Sequence, residues 1–197
     1  MTFTEKILKM AMKNNGIITT AQITQAGINR QHLKLLLEKG KLERSDIGVY
    51  ILPDYIDDEM FNLQNRYKKG IFSHITALYL LNLTDKTPEK FCMTFPLNYN
   101  TSKINKRNLN IYRVKNEYHE IGIIKIKSPN GNIIKSYNAE RTLCDILKTR
   151  AQMDIQIITQ AYQKYFQESK RNINLLSEYS KIFKLEKKVR NYLEVLI

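Results

Sequence analysis

The 197-residue sequence predicts an α+β fold, and three observations carry that reading. Three short amphipathic helical patterns, each closed by a glycine, open the chain and run into a pair of alternating β-like segments. From Ile71 onward, short helical stretches alternate with segments rich in β-formers. From Asn138 the pattern is helical to the end. Runs of this kind build an N-terminal helix-turn-helix with a hairpin wing, followed by a mixed domain with a small, mostly antiparallel sheet and a helical C-terminal part.

The first helix is announced by TFTE at residues 2–5, a Thr-x-x-Glu capping box. Ile7, Leu8, Ala11 and Met12 then recur at helical spacing, and Gly16 is suited to the left-handed stop. After Ile17 and Ile18, Thr19 or Thr20 can cap a second helix through Ala26, closed by Gly27. Asn29 is a good N-cap for a third helix, whose Leu33, Leu36 and Leu37 form an apolar stripe ending near Gly40. Residues 41–52 alternate into two β-like runs around Ser45–Gly48, as a two-stranded wing would, and Pro53 stops them. The acidic PDYIDDE stretch, residues 53–59, reads as the boundary, giving domains over 1–56 and 57–197, with Asp57 or Asp58 capping a helix through Tyr67.

In the second domain, β-segments are predicted at 91–95, 109–114, 121–127 and 133–137, the last two joined by a turn at SPNGNI. Ser73 is placed to cap a helix through Leu81. Arg141 and Asp145, four residues apart, can pair along a helix while Leu143, Ile146 and Leu147 face a core.

With 43% hydrophobic and 26% charged residues, the composition is that of a folded protein and excludes disorder as the default. No stretch approaches the roughly 18 apolar residues of a membrane span, and the start lacks a signal-peptide core, so a cytoplasmic protein with no membrane partner is expected. The net charge of +13 is unevenly placed: the first sixty residues sum to zero and the remainder carries the whole excess. Such an excess favours polyanionic partners.

The chemistry predicted for the third helix follows from which of its residues avoid the leucine stripe. In a helix-turn-helix the start of the second helix of the pair enters the major groove, where Arg reads guanine and Asn or Gln reads adenine. Asn29, Arg30, Gln31 and Lys34 are therefore predicted to contact DNA, with Arg44 and Ser45 at the wing tip holding phosphates. A second basic face is expected from Lys164, Lys170, Arg171, Lys181, Lys184 and Lys188, the last three at helical spacing opposite Leu185, Val189, Leu193 and Leu196.

No catalytic set, cofactor site or metal site is expected. His32, His74 and His119 stand in no ligand spacing, Cys92 and Cys144 form no CxxC, and GxxxxGK[ST], GxGxxG and GxSxG are absent. An enzyme acting on nucleic acid or modifying a partner protein is the alternative reading.

Five stretches in order, NNGIITTAQITQAGINRQHLKLLLEKGKLERSDIGVYILPD, RYKKGIFSHITALYLLNLTDKTP, MTFPLNYNTS, YNAERTLCDIL and EKKVRNYLEVL, resemble the AbiEi antitoxins of the abortive-infection AbiE systems. The resemblance implies a type IV antitoxin: a winged helix-turn-helix joined to a C-terminal domain needed for antitoxicity. It implies a transcriptional repressor that binds inverted repeats in double-stranded promoter DNA of its own toxin-antitoxin operon. The implied functional partner is a nucleotidyltransferase toxin, countered without a stable complex, and the implied biology is phage defence. No C-terminal residue takes a role from this resemblance.

Overall fold

The computed structural model describes residues 1–149 and 153–196, the side chains of 195 and 196 excepted. Among the described residues there are ten helices and two sheets, divided between two compact units. The first comprises Met1–Lys68 and Lys127–Ile134, the second Lys69–Ile126 and Lys135–Ile197.

The first unit contains α1 (Phe3–Lys13), β1 (Ile17–Thr19), α2 (Thr20–Gln25), α3 (Gln31–Glu38), β2 (Glu43–Asp46), β3 (Val49–Ile51) and α4 (Glu59–Arg66). Thr2 forms the expected capping box with Glu5. Thr19 forms a second one with Gln22, which settles the choice between the two threonines. Ile7, Ala11, Ile18, Ile23, Ile28, Leu33 and Leu36 close over one another as the core. Met12 was expected on this face but is exposed, because the buried stripe of α1 centres on Ile7 and Ala11.

The sheet has order β1-β3-β2, with both pairs antiparallel, so it holds one strand more than the two expected over residues 41–52. β1 offered no alternation to reveal it, since Ile17, Ile18 and Thr19 are all buried.

Asp58, not Asp57, caps α4, accepting from the amide of Phe61 at 3.0 Å. This carboxylate is buried and also accepts from Ser128 Oγ and from Asn132 Nδ2, the latter at 2.7 Å. A buried carboxylate needs such donors. The SPNGN turn supplies them, and the unit therefore takes in residues 127–134 and extends to Lys68, beyond the boundary expected at residue 56.

The second unit contains β4 (Ile71–Phe72), α5 (His74–Leu80), β5 (Phe91–Pro96), β6 (Leu109–Val114), α6 (Asn116–His119), most of β7 (Ile123–Lys127) and of β8 (Ile133–Tyr137), and the helices α7 (Ala139–Lys148), α8 (Ile155–Gln167), α9 (Ile173–Ile182) and α10 (Glu186–Leu196). Strand order is β6-β5-β4-β8-β7. β4 pairs antiparallel with β5, but β5–β6 and β4–β8 are parallel, so the sheet is mixed rather than mostly antiparallel. The reason lies in the connections. Twelve residues, 97–108, separate β5 from β6, enough to carry the chain back to start again in the same direction.

The helices bury Leu78, Leu143, Ile146, Leu147, Ile158, Tyr162 and Leu176 in one cluster. Within it Arg141, fully buried, donates from Nε to both carboxylate oxygens of Asp145 at 3.0 Å. Its Nη1 donates to the carbonyls of Tyr118 and Ile121, and its guanidinium lies between the rings of Tyr137 and Phe183, 4.4 and 4.3 Å from their centroids. Gly122, at φ +80°, lets this side chain approach, since a Cβ there would sit 2.8 Å from Arg141 Cβ. The ERTLCD motif is thus a structural device, with Cys144 buried in the same cluster.

Candidate nucleic-acid interface

α3 is amphipathic in a way that separates anchoring from presentation. Leu33 and Leu36 are buried, while Gln31, Lys34, Leu35 and Glu38, at positions i, i+3, i+4 and i+7, form the outward stripe. Leu35 is 43% exposed in the middle of that stripe, a residue that composition alone assigns to the core. An outward Leu beside Gln and Lys suits a groove in which a thymine methyl is the apolar feature.

The start of α3 differs from expectation by one residue. Arg30 occupies the N-cap position with no side-chain capping bond, and Asn29 Oδ1 accepts from the Gln31 amide at 2.9 Å, one residue upstream of a helix cap. Asn29 is exposed but its carbonyl oxygen is used by this turn.

Arg30 is exposed and donates from Nε and Nη2 to Thr24 Oγ1 at 3.2 and 3.0 Å. Thr24 in turn donates to the Thr20 carbonyl at 2.9 Å. This chain ties the beginning of α3 to α2 and sets the angle of the turn. Two of five guanidinium N–H groups are so engaged, and the others remain to meet an acceptor.

Lys34 Nζ lies 3.8 Å from Glu38 Oε1 on the open face. An exposed pair of this kind holds its lysine weakly. Arg44 and Ser45 lie within β2, not at the hairpin tip, which is formed by Ile47 and Gly48. Arg44 is exposed opposite Tyr50. Ser45 is half-buried and its hydroxyl is engaged by Asp57 and by Asn62 Nδ2, the latter at 2.6 Å. Asp46 next to it pairs with Arg66, whose guanidinium is held above its ordinary pKa chiefly by that hydrogen bond. The outer strand is therefore fastened to α4, and a carboxylate stands where Ser45 was expected to take a phosphate.

The expected second basic face is not one helical stripe. Lys184, at φ +57°, closes α9, with Leu185 N bonded to the Ser180 carbonyl at 2.7 Å, and α10 begins at Glu186. Lys181 and Lys188 consequently belong to different helices, though all three lysines are exposed. The left-handed residue satisfies the terminal carbonyls of α9, which is why the run breaks there. Leu185 and Val189 are buried as expected and Leu193 is half-buried; the Leu196 side chain lies outside the described residues. Lys164 is half-buried and paired with Asp85 at 2.6 Å, whereas Lys170 and Arg171 are exposed.

Among the described residues no helix is long and apolar enough to cross a membrane. No curated protein sequence matches the chain. Among solved structures, that of the RV2827C protein from Mycobacterium tuberculosis aligns with a TM-score of 0.55 at 12% identity, covering 89% of this chain and 71% of that one, which is a likeness of fold. Residues 5–53 match the family described as transcriptional regulator, AbiEi antitoxin. That segment spans most of α1 and all of α2, α3 and the three-stranded sheet, and through it the N-terminal part of the chain resembles the AbiEi antitoxin transcriptional regulators.

Proposed function

We propose that the first unit is a winged helix-turn-helix that binds double-stranded promoter DNA, and that the protein is the cytoplasmic antitoxin and autorepressor of a toxin-antitoxin operon. The observation that carries this is the division of α3: Leu33 and Leu36 hold the helix from within, leaving Gln31, Lys34 and Leu35 outward with Arg30 at the leading end. α2 and α3 form the helix pair, β2 and β3 the wing, and α3 the element that enters the major groove. Gln31 and Arg30 read base edges, Lys34 and Arg44 meet phosphates, and Asn29 orders the turn. Ser45 serves the wing rather than the DNA. The operator consists of inverted repeats, one unit per half-site.

The match of residues 5–53 to the AbiEi antitoxin transcriptional regulators supports the antitoxin role. In this reading the opposed toxin is a nucleotidyltransferase, countered without a stable complex, and the operon acts in abortive infection against phage. The basic surface of the second unit, including Lys170, Arg171, Lys181, Lys184 and Lys188, adds attraction for polyanions without base reading. The protein is not an enzyme in this reading.

The test is binding of the full chain to its own promoter and to a set of base-substituted repeats. Gln31→Ala is expected to lose about 1 to 3 kcal/mol on the native repeat and to relax preference at one base pair, whereas Lys34→Ala weakens every sequence alike. Equal affinity of the wild-type protein for promoter and scrambled DNA would overturn the repressor assignment.

A further inference from the structure

The second unit contains a cavity of about 330 Å³ that brings together residues far apart in sequence. Its apolar lining comes from Ile75, Cys92, Met153 and Ile157, and its polar groups are Lys86, Lys90, Asn110, Tyr112, Glu89 and Asp154. The β5–β6 register sets Cys92 beside Asn110 and Thr94 beside Tyr112. Asn110 and Tyr112, two apart on β6, thus point to the same side of the strand.

Tyr112 is fixed from behind. Its ring stacks on that of His74 with centroids 3.5 Å apart and planes 13° from parallel. His74 is buried, its Nδ1 lies 3.0 Å from Ser73 Oγ, and Ser73 Oγ accepts from Thr94 Oγ1 at 2.8 Å. The backbone of His74 stands at φ +51°, at the junction of β4 and α5. A non-glycine residue in that region is strained, and strain of this kind collects where a side chain must be held in one orientation. What it holds here is one aromatic wall of the cavity.

We propose that this cavity binds a nucleoside phosphate. The base lies against Tyr112 and the apolar floor, and the Asn110 amide, a donor and an acceptor on one group, meets its edge. The phosphate sits between Lys86 and Lys90, and the Glu89 and Asp154 carboxylates on the same rim accept from the ribose hydroxyls. The mixed rim decides the ligand class. Four charged side chains do not suit a wholly apolar ligand, and two carboxylates oppose a free phosphate. A cavity of this size also matches the lower range of small-molecule sites, about 300 Å³ upward. The site goes beyond the promoter-binding reading and uses none of its residues.

Isothermal titration of the full chain with the four ribonucleoside 5′-monophosphates tests the proposal. At least one is expected to bind at one per chain, with Asn110→Ala weakening it roughly five- to tenfold, the loss of a hydrogen bond at a base edge. Lys86→Glu with Lys90→Glu should abolish it and Lys34→Ala should leave it unchanged. Asn110, Lys86 and Lys90 are exposed, so these variants keep the fold, which circular dichroism verifies. Absence of binding for all four nucleotides at millimolar concentration would overturn the proposal. So would affinities unaltered by Asn110→Ala and the double lysine variant, or loss of binding in Lys34→Ala, which would move the ligand to α3.

Discussion

Arg30 performs two tasks that its position in the sequence does not separate. Its bonds to Thr24 stabilise the turn between α2 and α3, and its free N–H groups face outward. Thr24→Val removes the acceptor while leaving the arginine in place. If Arg30 reads a base, Arg30→Ala should weaken promoter binding by about 1 to 3 kcal/mol more than Thr24→Val does, measured by fluorescence anisotropy. Equal losses would reduce Arg30 to a clamp.

His74 presents a different balance. Burial, reinforced by the nearby Arg141 charge, lowers its pKa from 6.5 to about 3. His119 is also lowered, chiefly by burial, with the backbone at Thr94 and Lys69 acting in the opposite direction. Because the unfolded chain takes up these protons more readily, the stability these residues contribute is full above pH 6.5 and is lost as pH falls toward 3. His74→Asn tolerates the positive φ and cannot titrate there. Its thermal midpoint should therefore fall less steeply between pH 6.5 and 4 than that of the wild type, and parallel curves would contradict the linkage.

Among the elements, α3 shows most directly how burial on one face fixes what the other face presents. Leu36 is buried at 2% exposure, and Leu36→Ala should cost about 2 to 5 kcal/mol in chemical denaturation. Promoter binding should then fail only where the domain unfolds. Glu38→Gln acts on the other face: it frees Lys34 from its pair and removes a negative charge from the outward stripe. Tighter DNA binding, by up to about 1 kcal/mol at low salt and less at high salt, is the expected outcome. A reduced affinity would show that Glu38 itself makes a favourable base contact. β2 behaves as a fastened strand, since Ser45 and Asp46 are bonded to residues of α4 and of the acidic segment before it.

Considered as a whole, the chain builds its first unit from two separated stretches. A fragment ending at residue 56 omits Asp58 and α4, and one ending at Lys68 leaves the Asp58 carboxylate without Ser128 and Asn132. Removing partners from a buried polar group costs about 1 to 3 kcal/mol, more for a charged one. Fragment 1–68 should accordingly melt below the first transition of the full chain, and Asp58→Asn should narrow the gap between them. Identical melting would mean that the turn contributes nothing to this unit.

Much of the architecture was legible from local chemistry. The capping box at Thr2, the glycine stops, the leucine stripe of α3, the turn at SPNGN and the burial of both cysteines are short-range or compositional signals, and periodicity carries them. Other features left no local signal. β4 is two residues long and β1 lacks alternation, so neither has a period to read. The commitment of Ser45 to Asp57 and Asn62, the outward turn of Leu35 and the cavity lined by Tyr112 depend on what folding packs around them, which no local pattern states.

The sequence by itself determined the α+β class, the order of the N-terminal helices and the polar leading edge of α3, because helix faces and caps are set by residues within a few positions of one another. Only the tertiary structure decided that the sheet is mixed, that Asp58 gathers a distant turn, that Lys184 divides the C-terminal lysines between two helices, and which polar groups are spent inside the protein. A hydrogen bond used internally and one left for a ligand look the same along the chain; they differ only in what folding places beside them.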